Sequence, residues 1–164
     1  FMDKDEGTIR AFAVTPARVW EYLLSKAGII LVTGLITGLL TTVLVAGFKV
    51  HYLHLIVLLV ISNLFGSAVG LFISSFYDNI IKAMGALYIT IITFAFATIS
   101  YYLPSFTPLV IRILPSYPML FAFREVFLDS PDLSYVYTYV GVFLVLAVVF
   151  FILANERFKK TLTA

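Results

Sequence analysis

Four long runs without a charged side chain divide this chain, and short polar stretches separate them. Ala27 to Gly47, Leu55 to Ser75, Ala83 to about Tyr102 and Leu133 to Ala154 each hold enough apolar residues to predict a helix that crosses a bilayer. Crossing needs about 20 residues for about 30 Å of hydrocarbon. The connections are shorter. Phe48 to His54 carries Lys49, His51 and His54, and Phe76 to Lys82 carries Asp78 and Lys82. The tail from Asn155 to Ala164 is polar and basic. The predicted fold class is all-α: a polytopic transmembrane helical protein forming a single domain over residues 1–164.

Two stretches break this pattern. Residues 1–26 are charged and amphipathic. Thr8 is placed to cap a short helix to about Val14, with Ile9, Phe12 and Ala13 at i, i+3 and i+4 on one face. Thr15-Pro16 then restarts the chain as a hydroxyl cap followed by proline at the first helical position, and that second helix is expected to run through Trp20 and Tyr22 into the membrane. The other stretch, 103–132, holds Pro104, Pro108, Pro115, Pro118 and Pro131 in an otherwise apolar context. A full span does not tolerate so many missing backbone donors. Two short helices starting near Pro108 and Pro118 and re-entering the membrane edge satisfy both features; an amphipathic hairpin lying on the surface is the alternative. Ser130-Pro131-Asp132 is expected to start the last span, as cap, first-turn proline and acid at the positive end of the helix dipole.

Composition sharpens the class. The chain is 62% apolar and 12% charged, with a mean hydropathy of +1.05, where soluble domains are about 45–50% apolar and about 25% charged. A net charge of +2 and the absence of a basic, aromatic-interleaved block set nucleic acid aside. Without cysteine there is no disulfide and no thiol chemistry. With four spans, Lys4, Arg10, Arg18, Lys26, Lys82, Arg157, Lys159 and Lys160 share one side, against Lys49, Arg112 and Arg124 on the other. The positive-inside rule then puts both ends of the chain in the cytoplasm and 103–132 outside it.

Candidate chemistry is sparse. Gly34 and Gly38 form one GxxxG near Thr33, Thr37 and Thr41, and Gly66 and Gly70 form another that Ser62 extends. Such small faces serve close packing between neighbouring spans of one chain or between protomers. His51 and His54 lie i, i+3 with no nearby carboxylate, which fits interfacial histidines better than a metal site. Arg124 and Glu125 fit a local ion pair or snorkelling head groups, and Asp78 a solvated turn carboxylate. Asn63 is a polar residue inside a span. No ionisable residue falls near the middle of a span, which weighs against an ion-coupled carrier. No Walker A loop, HExxH or GxSxG occurs, so no ATPase or hydrolase is expected in this chain.

The amphipathic stretch carries a family resemblance. Asp5-Glu6-Gly7-Thr8-Ile9, then Val14-Thr15-Pro16, then Tyr22-Leu23-Leu24-Ser25-Lys26 match in order and spacing the cytoplasmic loop of ABC-2-type transporter permease subunits. Ile9 stands where that loop usually has leucine. The proline-rich segment before the last span matches the family's re-entrant helices, and the chain resembles most the drug-export branch, such as fluoroquinolone-export permeases. The resemblance implies a permease subunit of a bacterial or archaeal cell-membrane exporter for an amphipathic drug-like or lipid-like substrate. It implies a second permease subunit, and a separate ATP-binding subunit that holds the ATP and magnesium. Glu6, Gly7, Thr8, Ile9, Arg10, Phe12, Thr15 and Pro16 would then couple to that subunit, Ile9 and Phe12 as the apolar anchor of a helix in a groove. On the residues alone, a helix lying flat under the bilayer explains the same stretch. Family permeases have six spans, so the chain is expected to match roughly their C-terminal two-thirds, with Phe1 ending the second span. The competing classes are a passive channel or ion-coupled carrier, with Arg112, Arg124 and Asp78 as gates, and a membrane assembly protein without transport.

Overall fold

A charge-free run in hydrocarbon must satisfy every backbone N–H and C=O within itself, and an α-helix does so. The computed structural model describes residues 19–77 and 79–163. Its helices are α1 (Val19–Ala46), α2 (Tyr52–Ser74), α3 (Ile80–Ala95), α4 (Ala97–Tyr102), α5 (Leu109–Ile113), α6 (Ser116–Val126) and α7 (Leu133–Thr163). Among the described residues, four segments are long and apolar enough to cross a membrane, over 20–46, 52–74, 81–102 and 133–160. The all-α, four-span expectation therefore holds.

The first span is longer than its apolar core. The helix through Trp20 and Tyr22 is continuous with it, as expected, and α1 stops where Gly47 takes φ +63. That left-handed conformation suits glycine and ends a helix. The Gly47 N–H returns to the Val43 carbonyl at 3.1 Å, and the Tyr52 hydroxyl donates to the Gly47 carbonyl. The turn between α2 and α3 closes with Asn79, whose Oδ1 accepts the Ile81 N–H at 2.8 Å. The candidate Asp78 lies outside the described residues.

The bundle is organised on α2 and α7. Phe65 packs edge-on to Phe143, ring centroids 5.0 Å apart, and Phe72 lies 5.4 Å from Phe150. Leu58, Val136 and Phe143 are among the fully buried side chains. At the other extreme, only 6% of the most apolar window of α1 is buried, against 28% for α2, so α1 is a peripheral helix. Ile29, Val32, Ile36 and Leu40 of α1 and Ile89, Ile91 and Ile92 of α3 are exposed, the lipid-facing surface of such a bundle.

Two local expectations need correction, and two features go beyond them. The third span covers residues 81–102, as expected, and is interrupted at Phe96, whose N–H pairs with the Thr93 carbonyl at 3.3 Å. Thr90, Thr93 and Thr98 each donate their hydroxyl to a carbonyl three or four residues back, at 2.9, 2.8 and 2.6 Å. Thr37 and Thr42 bond back in the same way within the unbroken α1, so back-bonding alone does not account for the interruption. Helix α6 begins after Pro115, not at Pro118, which falls inside its first turn, where proline costs no hydrogen bond; α5, by contrast, does start at Pro108. The cap of α7 is Asp132, not Ser130: its Oδ1 accepts the Tyr135 N–H at 3.1 Å. Residues from Asn155 onward continue α7 to Thr163. With 31 residues, α7 is ~46 Å long and overruns the hydrocarbon. Its polar end is helical because good helix formers fill it, with Lys159 and Glu156 paired at 3.3 Å.

Two contacts fix which ends lie together. The His51 N–H reaches the Val126 carbonyl at 3.4 Å, so the α1–α2 loop and the α5–α6 segment share one end. The Arg157 guanidinium stacks over Phe76 at 4.5 Å, placing the α2–α3 turn with the far end of α7. Within residues 103–132, α6 packs on the bundle: Ala122 and Val126 are fully buried, and Met119 and Phe123 pack on the clusters around Leu58 and Phe143, while Leu109, Val110 and Ile113 of α5 are exposed.

Candidate functional site

The expected coupling residues Glu6, Gly7, Thr8, Ile9, Arg10, Phe12, Thr15 and Pro16 lie outside the described residues. Three hollows among the described residues hold polar groups of the bundle.

The first is a seam between α1 and α2 in mid-span. A methyl group built on Gly34 would lie 1.9 Å from Asn63 Oδ1, and one on Gly38 would lie 2.7 Å from Leu59 Cδ2. Here glycine is needed for close approach. Asn63 donates to the Leu59 carbonyl at 2.7 Å, which turns its amide oxygen toward α1. Thr37, Thr41, Thr42 and Ser62 line the same hollow of about 450 Å³. Thr33, Thr37 and Thr42 satisfy their hydroxyls on carbonyls of their own helix, which is how a span carries polar atoms in hydrocarbon.

The second GxxxG behaves differently. Nothing lies within 4 Å of a methyl group on Gly66 or on Gly70. Both line a hollow of about 310 Å³ toward the end of the bundle that carries the α2–α3 turn, with Tyr22, Lys26, Ser74 and Phe158. Lys26 Nζ sits 5.5 Å from the Tyr22 ring centroid, within cation–π range. One spacing motif is thus filled by a neighbouring helix of the same chain, and the other borders open space. Gly34→Ala is accordingly expected to cost about 1–3 kcal/mol by overpacking, whereas Gly66→Ala and Gly70→Ala leave stability unchanged within about 0.5 kcal/mol. Reversible unfolding in detergent separates the two cases, and Asn63→Ala in the Gly34→Ala background should recover part of the loss.

The third hollow, about 490 Å³, opens at the end of the bundle that holds α5 and α6. Tyr117 and Phe121, one turn apart on α6, have centroids 4.7 Å apart, and Tyr135 and Tyr139 on α7 have centroids 4.6 Å apart. Glu125, Asp132 and Arg112 stand around these rings. Glu125 Oε2 accepts the Asp132 N–H at 3.1 Å, and Arg124 lies over Phe121 at 6.0 Å. The two residues therefore take separate partners and do not form the expected ion pair. Arg112 donates to the Thr107 hydroxyl at 3.4 Å. Sequence reasoning does not single out the tyrosines and Phe121; their i, i+4 spacing is the available signal, and only the folded chain brings the two pairs together. His54 Nδ1 lies 2.8 Å from the Tyr137 hydroxyl, and among the described residues no group of His, Cys, Asp and Glu is arranged to hold a metal.

Similarity to known proteins agrees with the drug-export branch that the loop motif indicated. Residues 2–154 match the family described as "Fluoroquinolones export permease protein Rv2686c-like". The chain is 36% identical over 70 residues to two Mycobacterium tuberculosis proteins, fluoroquinolones export permease proteins MT2761 of strain CDC 1551 / Oshkosh and Rv2687c of strain H37Rv. Each match covers 43% of this chain and 30% of the relative, so the matched stretch spans less than a third of those proteins. No solved structure matches the chain. A match over nearly all of the sequence, joined to a bundle of four membrane-length helices, makes this multi-pass membrane chain a member of the Rv2686c-like fluoroquinolones export permease family.

Proposed function

We propose that the chain forms part of the transmembrane pathway of an ATP-binding-cassette exporter of the ABC-2 type. In this reading a separate ATP-binding subunit supplies the energy, and the cargo is an amphipathic drug-like or lipid-like molecule leaving the cytoplasm. The family match over residues 2–154 carries the reading. Three sequence features support it: the Glu6-Gly7-Thr8-Ile9 and Thr15-Pro16 motif, the lack of any Walker A loop in the chain, and eight of eleven Lys and Arg residues on the side of the chain ends. A second permease subunit is supported by the thin cover over α1, a helix with a large uncovered apolar face. The pathway lies in this reading between two such subunits in a bacterial or archaeal inner membrane. Movement of the motor is transmitted from residues 8–14 through Pro16–Lys26 into α1, which continues that segment without a break after Val19.

Export of a fluoroquinolone from inverted vesicles holding the native complex tests the energy source. Replacing the Walker A lysine of the ATP-binding partner is expected to reduce ATP-dependent transport to background, while a protonophore leaves it intact. Transport that survives the lysine replacement overturns the reading. Orientation has its own test: cysteines replacing Lys49 and Ser130 should react with an impermeant maleimide from outside whole cells, and one replacing Asp78 should not. The opposite labelling pattern reverses the topology.

A further inference from the structure

We propose that the hollow between α6 and α7 is a binding site for an aromatic organic cation. Its walls are aromatic on two sides, with Tyr117 and Phe121 on one helix and Tyr135 and Tyr139 on the other. At about 490 Å³ it has the size of a small-molecule pocket, and its lining mixes aromatic rings with the charged side chains of Arg112, Glu125 and Asp132. The charged groups of the site are the carboxylates of Glu125 and Asp132 and the guanidinium of Arg112, with the Arg124 guanidinium over Phe121. The formal charges balance, and the aromatic rings carry the preference for a cation. Aromatic faces carry the negative part of the ring quadrupole and attract cations.

The acids are also held in place. Glu125 Oε2 and Asp132 Oδ1 each accept one backbone N–H at 3.1 Å, which leaves the second oxygen of each carboxylate for a ligand ammonium or iminium group. Arg112 is tied to Thr107 and stands at the exposed edge. The ring pairs are fixed by one-turn spacing on helices whose opposite faces are packed: Ala122, Val126 and Val136 are fully buried. A flat cation sliding between the two helices thus meets preorganised rings and anchored carboxylates, which lowers the cost of ordering the site. Assigning this cation as cargo rests on the exporter reading; the binding itself does not.

Ethidium, an aromatic cation whose fluorescence rises on binding, is the probe, titrated into the native full-length protein in nanodiscs of uncharged phosphatidylcholine with empty nanodiscs subtracted. The pair Glu125→Gln with Asp132→Asn keeps an oxygen at each backbone N–H but removes both charges. It is expected to weaken saturable binding about tenfold or more, with the unfolding midpoint unchanged. Arg112→Gln is expected to tighten binding about threefold, and Glu156→Gln, at the far end of α7, to leave it unchanged. No saturable binding by the wild type, or equal affinity in the double variant, overturns the site. Charge-dependent binding without ATP-driven ethidium export supports the site and counts against the exporter reading. Export with no charge-dependent binding counts against the site alone.

Discussion

Phe12→Asp is expected to abolish co-purification of the chain with its ATP-binding partner while leaving membrane insertion intact. Ile9, Phe12 and Ala13 repeat at i, i+3 and i+4, so a helix over residues 8–14 presents them on one side, with Arg10 beside them. A short amphipathic helix in a groove draws most of its affinity from one or two apolar anchors. Aspartate at the anchor both removes the ring and buries a charge without a partner. The expected loss is about 3–5 kcal/mol, or about a hundredfold or more in affinity. The competing picture, a helix lying under the bilayer, predicts a different defect. There Phe12→Asp releases the segment from anionic vesicles and leaves the partner bound. Unchanged recovery of an ATP-binding subunit by the variant therefore removes the coupling role from this stretch.

Phe143→Ala is expected to be the most destabilising single change in the described bundle, at about 3–5 kcal/mol. Phe143 is 1% exposed, and its ring packs edge-on to Phe65 at 5.0 Å, where α2 and α7 meet. In a membrane the penalty does not come from water entering, because lipid tails are as apolar as the ring. It comes from the dispersion attraction forfeited around a void that neither helix can close and no acyl chain reaches. The control sits two residues away. Val145→Ala on the same helix, at a side chain 62% exposed, should cost under about 1 kcal/mol, since lipid refills the space. Denaturant unfolding in mixed micelles measures both. Equal costs at the two positions show that α7 is not buried against α2.

The number and approximate position of the spans were legible because a charge-free run of about twenty residues has one way to satisfy its backbone in hydrocarbon. The elbow through Trp20 and Tyr22 was legible for a related reason: an amphipathic segment leading into an apolar one needs no turn. The proline-rich segment could be read as two short helices, but not the start of the second. Pro115 and Pro118 are both acceptable near a helix start, and α6 begins after the first. The interruption at Phe96 is hidden in the sequence because neither proline nor glycine marks it: the residues there are Ala95, Phe96 and Ala97. The coupling residues Glu6 to Pro16 rest on spacing and on the family motif.

The two GxxxG motifs mark the boundary most sharply. Both have the same spacing, yet Gly34 and Gly38 touch Asn63 and Leu59 while Gly66 and Gly70 border open space. Spacing states that a helix has a small face, and only the neighbour's position decides whether the face is filled. By itself the sequence determined that this is an all-helical membrane chain, that its basic residues lie mainly with its ends, and that it carries no ATPase motif, because hydropathy, charge and motif are local properties. The tertiary structure alone decided that α2 and α7 form the centre, that α1 is peripheral, and that Tyr117, Phe121, Tyr135 and Tyr139 share one pocket with Glu125, Asp132 and Arg112. The peripheral α1 and the central α2 have the same mean hydropathy, 2.4, so hydropathy cannot rank their partners; side-chain shape and close packing do.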